Sequence, residues 1–124
     1  MSNTRRVLVA DDESHILNVV SLKLRNAGFE VVCAHDGTEA LSLALETSPT
    51  LLITDYHMPG LTGLEVCQKL REQGRAVPTI MLSARGYHLT EEELAQSGIS
   101  EMVSKPFSPR QLLATVEQVL GRAA

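Results

Sequence analysis

The sequence predicts an α/β protein with a five-stranded parallel sheet and five helices. Five short apolar runs, rich in β-branched and aliphatic residues, recur at residues 7–10, 31–34, 51–53, 79–82 and 102–103. Segments of helix length lie between them and carry apolar residues three or four positions apart. Strands that alternate with helices in this way are typical of βαβ units, whose strands run parallel.

The third apolar run gives the clearest sign of a buried strand. Residues 51–53 are Leu-Leu-Ile, with Pro49 before them and the turn Pro59-Gly60 after them. A short apolar run bounded by prolines fits a strand that is buried on both faces better than it fits a helix. Asp55 then lies at the carboxyl end of this strand, and open parallel α/β sheets bind their ligands at that edge.

The helical segments show apolar residues at helical spacing. These positions are 17, 20, 24 and 27 in the first segment, 40, 41, 44 and 45 in the second, 64, 67 and 70 in the third, and 112, 113, 116 and 120 in the fifth. Each set forms one apolar face of an amphipathic helix. The fourth segment, residues 89–97, has few apolar residues and a run of three glutamates, which we interpret as a solvated first turn stabilised by the helix dipole.

Capping signals mark where these helices begin and end. The predicted capping boxes are Asp36-x-x-Glu39, Thr62-x-x-Glu65 and Thr90-x-x-Glu93. Ser108-Pro109 predicts an N-cap followed by proline, and Ser48-Pro49 predicts the end of the second helix. The predicted C-cap glycines are Gly28, Gly74, Gly98 and Gly121.

Composition narrows the class of protein. A chain of 124 residues with 44% hydrophobic and 21% charged residues is predicted to form one folded domain over residues 1–124. The net charge of −4 and the scarcity of aromatic residues argue against nucleic-acid binding. We expect a cytoplasmic protein with no membrane contact, since no apolar run approaches the roughly 20 residues of a membrane span and no signal peptide is recognisable. Cys33 and Cys67 match no zinc or redox spacing, and we interpret them as small hydrophobic residues.

Acidic residues follow two strands that are predicted to be neighbours. Asp11 and Asp12 follow strand one, and Asp55 ends strand three. In a flavodoxin-like doubly wound sheet of strand order 2-1-3-4-5, these two strands are adjacent, so their acids are expected in one crevice. A single aspartate at such a position is often only a helix cap or an Asx turn. Two charges about 4 Å apart repel by roughly 4 kcal/mol at an effective dielectric near 20, so three converging acids favour a bound hard cation such as Mg²⁺.

Strands four and five add a hydroxyl and a cation to the same edge. Strand four ends in Ser83-Ala84 and strand five in Lys105-Pro106. Each residue alone has an ordinary explanation, as a serine that ends a strand or a solvated lysine before a turn. Together with the acids they describe a phosphoryl site, in which a carboxylate nucleophile lies between a metal ion and the Lys105 ammonium.

These motifs together resemble those of response-regulator receiver domains of two-component signalling. They are Asp11-Asp12 after strand one, residues 54–63 (TDYHMPGLTG) after strand three, Ser83-Ala84 after strand four and Lys105-Pro106-Phe107 after strand five. Each motif alone is weak, but all four in this order, separated by helix-sized gaps, are highly specific. The resemblance covers essentially the whole chain.

The resemblance implies a role for each residue at this edge. Asp55 would accept a phosphoryl group from a phosphohistidine of a sensor histidine kinase or of a histidine phosphotransfer protein in a phosphorelay. Mg²⁺ would be bound directly by Asp12, Asp55 and the main-chain carbonyl of His57. Asp11 would act through a bound water.

The resemblance also assigns the residues on the far side of the acceptor. Lys105 would pair with Asp55 and then with the phosphoryl oxygens, and Ser83 would move to donate a hydrogen bond to them. A cis Lys105-Pro106 peptide bond is also implied. His57 and Arg85 occupy positions that tune hydrolysis of the aspartyl phosphate in the family.

Phosphorylation is expected to change one face of the molecule. Helix four, strand five and helix five would shift between two arrangements and control a downstream effector or an output domain. Dimerisation through this face is compatible with the sequence. Receivers usually carry an aromatic switch residue three positions before the lysine, where this chain has Met102. The methionine at this position puts the aromatic switch in doubt but does not change the expected phosphorylation chemistry.

Two other functions remain open from the residues. The first is a receiver-like interaction module that is never phosphorylated, although such modules commonly lack one of the acids or the lysine. The second is an Mg²⁺-dependent phosphohydrolase with an aspartate nucleophile, which would carry a second acid at position 57, where this chain has histidine. A dinucleotide-binding protein is disfavoured because no G-x-G-x-x-G follows strand one. We therefore expect a signalling protein with only self-phosphorylation and self-dephosphorylation chemistry, not an enzyme.

Overall fold

The computed structural model describes residues 5–84, 90, 92–93 and 97–123 of the chain. Nine helices and strands lie within these residues. In order they are β1 (Arg6–Ala10), α1 (Ser14–Asn26), β2 (Glu30–Ala34), α2 (Gly37–Thr47), β3 (Leu51–Asp55), α3 (Gly63–Glu72), β4 (Thr79–Ser83), β5 (Ile99–Ser104) and α4 (Pro109–Ala123).

The five strands form one sheet in the order β2-β1-β3-β4-β5. Every neighbouring pair is parallel, so all five strands end at the same edge. The strand order reverses between β1 and β3, which makes the gap beyond their carboxyl ends the natural ligand crevice. The predicted flavodoxin-like α/β fold is confirmed.

The sheet is buried on both faces because alternate strand residues point to opposite sides. One core cluster joins Val7, Val9, Leu51, Ile53, Ile80 and Leu82 of the sheet to apolar residues of α1 and α4. The other joins Leu8, Ala10, Leu52 and Met81 to α2 and α3. The run at residues 51–53 is completely buried, as its sequence predicted.

Most predicted helix ends are confirmed. The Thr62–Glu65 capping box forms in full, and so do both hydrogen bonds of the Thr90–Glu93 box. Ser48 ends α2 in the left-handed conformation, with φ of 48°. The predicted fourth helix, residues 89–97, lies largely outside the described residues.

Two of the capping predictions are wrong. Gly121 lies inside α4, which continues to Ala123, because the neighbouring Val119 and Leu120 are buried in the core and hold this turn of the helix against it. Asp36 caps α2 by accepting from the Glu39 N–H, but the Glu39 carboxylate accepts from the His35 N–H at 2.7 Å and not from the N-cap residue itself. The imidazole of His35, 3.1 Å away, adds a second contact that favours this position of the carboxylate.

Both cysteines are free thiols packed at the core. Cys67 belongs to the cluster beneath α3, and Cys33 packs against the other cluster. Burial raises the pKa of the Cys67 thiol, which keeps it in the unreactive neutral form. The interpretation of these residues as small hydrophobic side chains fits this packing. Among the described residues, no helix has the length and apolar character needed to cross a bilayer.

Candidate functional site

Three carboxylates converge at the carboxyl ends of β1 and β3. Asp11 and Asp12 follow β1, and Asp55 is the last residue of β3. One oxygen from each of the three lies within 4.8 Å of the other two. Asp11 and Asp55 are buried and Asp12 is exposed, so the cluster opens to solvent on one side.

Lys105 brings a positive charge to this cluster from the end of β5. Its Nζ lies 2.9 Å from Asp11 Oδ2 and 3.3 Å from Asp55 Oδ2. A third carboxylate oxygen, Glu13 Oε1, lies 3.4 Å away. The ammonium is thus paired with acids from two neighbouring regions of the chain, and its shortest contact is to Asp11.

The backbone holds Lys105 beside Ser83. The Lys105 N–H donates to the Ser83 carbonyl at 2.8 Å, which continues the β4–β5 ladder beyond the last strand pair. Ser83 is buried at the end of β4, the strand adjacent to Asp55. The Lys105-Pro106 peptide bond is cis, as the resemblance implied.

Asp11 uses its two oxygens differently. Oδ1 accepts the Glu13 N–H at 2.9 Å, which fixes the turn from β1 into α1. Oδ2 is buried and lies within ion-pair distance of Lys105, yet it accepts no well-aligned hydrogen bond. The turn-forming role considered for a lone aspartate is therefore real for Asp11, but it engages only one of the two oxygens.

Burial governs the protonation of the buried acids. It raises the pKa of Asp11 above its ordinary value of 3.8, outweighing the Glu13 backbone amide and the Lys105 ammonium. Burial and the adjacent Asp11 charge likewise raise the pKa of Asp55. Burial would lower the pKa of Lys105, but the contact with Asp11 and the three neighbouring negative charges raise it above 10.5. The site therefore combines a firmly charged cation with acids that are costly to ionise.

These residues fit a hard divalent cation. Mg²⁺ prefers oxygen ligands, takes one or two carboxylates and keeps several waters. The cluster supplies three carboxylates, one of them on the solvent side, and a buried Asp11 oxygen with no aligned donor. A divalent cation would also offset the burial and repulsion that raise the pKa of Asp55.

The loop after β3 holds the remaining predicted ligand. His57 is exposed on this loop, and its ring packs edge-on against Tyr56 with centroids 4.7 Å apart. The loop is tied to its neighbours by the Tyr56 N–H to the Leu82 carbonyl and the Gly63 N–H to the Tyr56 carbonyl, both 2.8 Å. Met102 packs against the core cluster under α2 and α3, and Arg85 lies outside the described residues.

Sequence reasoning missed the part that Glu13 plays here. The residue directly follows Asp11-Asp12, but its contact is with a lysine 92 positions further along the chain. Its place in the acidic run after β1 was the only available signal. That run does not say which of its members faces Lys105.

Comparison with known proteins decides the family. Residues 7–117 match the model of the response regulator receiver domain. The chain belongs to this family. This receiver domain is 36% identical over 119 residues to the alkaline phosphatase synthesis transcriptional regulatory protein PhoP of Bacillus subtilis (strain 168). The match covers 96% of this chain and 50% of that protein, so the chain spans half the length of this curated relative.

Solved receiver structures share the fold closely. The receiver domain of the Francisella response regulator 1452 is 32% identical, with a TM-score of 0.88 over 98% of this chain and 100% of that one. The chemotaxis response regulator CheY4 of Vibrio cholerae is 34% identical, with a TM-score of 0.86 over 94% of this chain and 99% of that one. The chain thus has the sequence and the fold of a receiver domain of two-component signalling.

Proposed function

We propose that residues 1–124 form one receiver domain in which Asp55 accepts a phosphoryl group from a phosphohistidine of a sensor kinase or phosphotransfer protein. The arrangement of charge around Asp55 carries this proposal. Its carboxylate lies 3.3 Å from the Lys105 ammonium and within 4.8 Å of the Asp11 and Asp12 oxygens. A nucleophile between a cation and a metal-type acidic cluster is suited to phosphoryl transfer.

The transfer breaks one bond and forms one. A carboxylate oxygen of Asp55 attacks the phosphorus in line, the phosphorus–nitrogen bond breaks, and its electron pair returns to the imidazole nitrogen, which then takes a proton. The product on this chain is an acyl phosphate with three acceptor oxygens and about two negative charges. Water later attacks the same phosphorus, the bond to the Asp55 oxygen breaks, and inorganic phosphate leaves as the Asp55 carboxylate is restored. This is the only self-catalysed hydrolysis we propose.

The surrounding residues hold and stabilise the reacting group. Lys105 donates to the phosphoryl oxygens, and its contacts with Asp11 and Asp55 already place the ammonium at the acceptor. Ser83 donates a hydrogen bond to the phosphoryl group from the end of the adjacent strand. Asp12, Asp55 and the His57 carbonyl would hold Mg²⁺, with Asp11 acting through water. When bound, Mg²⁺ would neutralise charge on the transferring oxygens.

The new anion then biases β5 and α4, together with the predicted fourth helix, which lies largely outside the described residues. Ser83 ends β4 and Lys105 directly follows β5, which supports transmission of their movement to β5 and α4. The phosphoryl group selects between two existing arrangements, and the preferred one binds or releases an effector or output domain. Dimerisation through these elements stays a prediction.

Incubation with Mg²⁺ and acetyl phosphate tests the chemistry. Intact-mass measurement should show one added phosphoryl group on the wild type and none on an Asp55→Asn variant. Asp36→Asn is the matched control, since Asp36 serves as the N-cap of α2 and asparagine also caps helices well, so it should label like the wild type. Equal labelling of the Asp55→Asn variant, or an unlabelled wild type, would refute the proposal.

A further inference from the structure

Glu13 is an acidic residue at the site that the proposed transfer does not use. Its N–H donates to Asp11 Oδ1, and its carbonyl accepts from the Leu17 N–H at 3.2 Å. It is the N-cap residue of α1, yet its side chain makes no capping hydrogen bond. The backbone of Glu13 is thus fixed, while its carboxylate is free of the helix and reaches Lys105.

Before any phosphoryl group arrives, the Lys105 ammonium donates a hydrogen bond to Glu13 Oε1 at 3.4 Å, and its contacts with Asp11 and Asp55 are ion pairs. An ammonium has three N–H donors. Three carboxylate oxygens lie within ion-pair distance, those of Asp11 at 2.9 Å, Asp55 at 3.3 Å and Glu13 at 3.4 Å. A phosphoryl group on Asp55 needs a donor from this ammonium and therefore competes with these three carboxylates for it.

Glu13 is the partner that yields at the lowest free-energy cost. Its side chain is 58% exposed, so water can hydrate the carboxylate as soon as it leaves Lys105. Asp11 is fully buried and also anchors the turn into α1, so its release would strand a charge in the protein interior. Asp55 is the acceptor itself and stays at the site.

We propose that Glu13 is a positioning residue that competes with the phosphoryl group for Lys105 and thereby slows phosphorylation of Asp55. This inference rests on the proposed function. In the unphosphorylated domain the Glu13 carboxylate occupies a donor that the transferring group requires. Its removal frees that donor and speeds the transfer.

Two substitutions of Glu13 distinguish the effect of its contact with Lys105 from the effect of its negative charge. Glu13→Gln removes the charge and keeps the shape, whereas Glu13→Asp keeps the charge but is one methylene shorter, so its carboxylate loses the 3.4 Å contact while α1 holds the backbone. Glu117→Gln is the matched control for net charge. Glu117 is an exposed residue that lines a cavity of about 370 Å³ with Arg5 and Gly28, at the opposite edge of the sheet.

The experiment measures the rate at which acetyl phosphate labels each variant under saturating Mg²⁺, normalised to the final labelled fraction. At an ionic strength of about 0.5 M the Debye length is roughly 4 Å, so long-range repulsion of the donor is largely removed. We expect both Glu13 variants to label about two- to fivefold faster than the wild type, as for the loss of one half-exposed ion pair. Glu117→Gln should match the wild type.

Each other outcome overturns a different claim. If Glu13→Asp labels at the wild-type rate and the Glu13→Gln gain disappears at high ionic strength, Glu13 acts only as a distant charge. Slower labelling of Glu13→Gln would mean that Glu13 assists Lys105 and does not compete for it. Unchanged rates in both would leave Glu13 without a role in transfer. A wild type that takes no label would instead defeat the proposed function itself.

Discussion

Lys105 determines the charge balance of the site because it is the one cation among the described residues near three carboxylates. Its side chain is 17% exposed, whereas that of Asp11 is fully buried. An ion pair with one buried partner contributes little net stability when intact, but its disruption leaves an uncompensated buried charge. The lysine therefore has a structural part that is separate from any role in transfer.

Replacement of Lys105 tests this structural part. We expect Lys105→Met to lower the free energy of unfolding by roughly 2–3 kcal/mol in EDTA at pH 7, below the cost of breaking a fully buried pair because Lys105 is partly solvated. Urea denaturation measures the loss. Lys69→Met, a substitution at an exposed position of α3, should have little effect. Equal stability of the Lys105 and Lys69 variants would contradict this account.

The raised pKa of Asp55 predicts a specific dependence of stability on pH. Because the folded state holds this proton more tightly than the unfolded chain, the Asp55 contribution falls as pH rises above 3.8 through the folded pKa. Asp55→Asn removes that contribution. In EDTA the free energy of unfolding of the variant should increase relative to that of the wild type as pH rises, and it should be higher by at least about 1 kcal/mol at pH 7. The reason is that charges within 4.8 Å repel by roughly 3 kcal/mol, and Lys105 offsets only part of this repulsion.

Denaturation curves of both proteins between about pH 3 and pH 8 measure this difference. The expected result is a stability difference that widens with pH and then becomes constant. A difference independent of pH would show that the Asp55 carboxylate ionises in the folded state as easily as in the unfolded chain.

The start of α2 and the loop after β3 form one packed unit. The Gly37 N–H donates to the Pro59 carbonyl at 3.0 Å. A Cβ on Gly37 would lie 1.9 Å from the Leu61 carbonyl oxygen, a distance that no real contact allows. The start of α2 therefore lies directly against the loop that contains His57, and only glycine fits at position 37 because the Leu61 backbone is so close.

Gly37→Ala should therefore displace this loop. We expect a loss of about 1–3 kcal/mol in unfolding free energy, as for other substitutions that overpack a tight contact. We also expect weaker Mg²⁺ binding by isothermal titration calorimetry, because the loop supplies the proposed His57 ligand.

Gly121→Ala provides the contrast within another element. Gly121 lies inside α4 with open space where its Cβ would be, so alanine should stabilise the helix by up to about 1 kcal/mol. Its Mg²⁺ affinity should equal that of the wild type. Equal Mg²⁺ affinity of the Gly37→Ala and Gly121→Ala variants would show that α2 does not control the position of the loop that contains His57.

In the molecule as a whole, repulsion between acidic side chains is concentrated at one edge of the sheet, whereas the two faces of the sheet are apolar. Both faces of the sheet are covered by helices, while the buried acids gather where the strands end. Such a cluster raises the free energy of the metal-free fold. A cation that binds only the folded state increases the free energy of unfolding and so offsets this cost.

Mg²⁺ should therefore stabilise the domain as a whole. At a free concentration about 100 times the dissociation constant, the expected gain is about 2.7 kcal/mol, read as an increase in melting temperature. Ca²⁺-free buffers with Mg²⁺ or EDTA give the two states. The gain should largely disappear in Asp55→Asn, and an equal gain in that variant would place the ion elsewhere.

The sequence alone determined the sheet and the edge at which the site lies. Residues 51–53 are apolar on both faces, and that pattern needs only local information to predict a buried strand. Once the strands are parallel, Asp11, Asp55 and Lys105 must reach one edge, whatever the details of packing. For this reason the fold and the edge at which these residues meet could be predicted together.

Only the tertiary structure decided which of these groups touch. Lys105 is closest to Asp11, and it meets Glu13 across 92 residues of chain, because the packing of α1 and the β4–β5 pairing set those distances to tenths of an ångström. The position of the Glu39 carboxylate on His35 and the continuation of α4 through Gly121 were equally beyond local patterns. Periodicity and turn chemistry fix which element forms, whereas side-chain contacts depend on the summed packing of all elements at once.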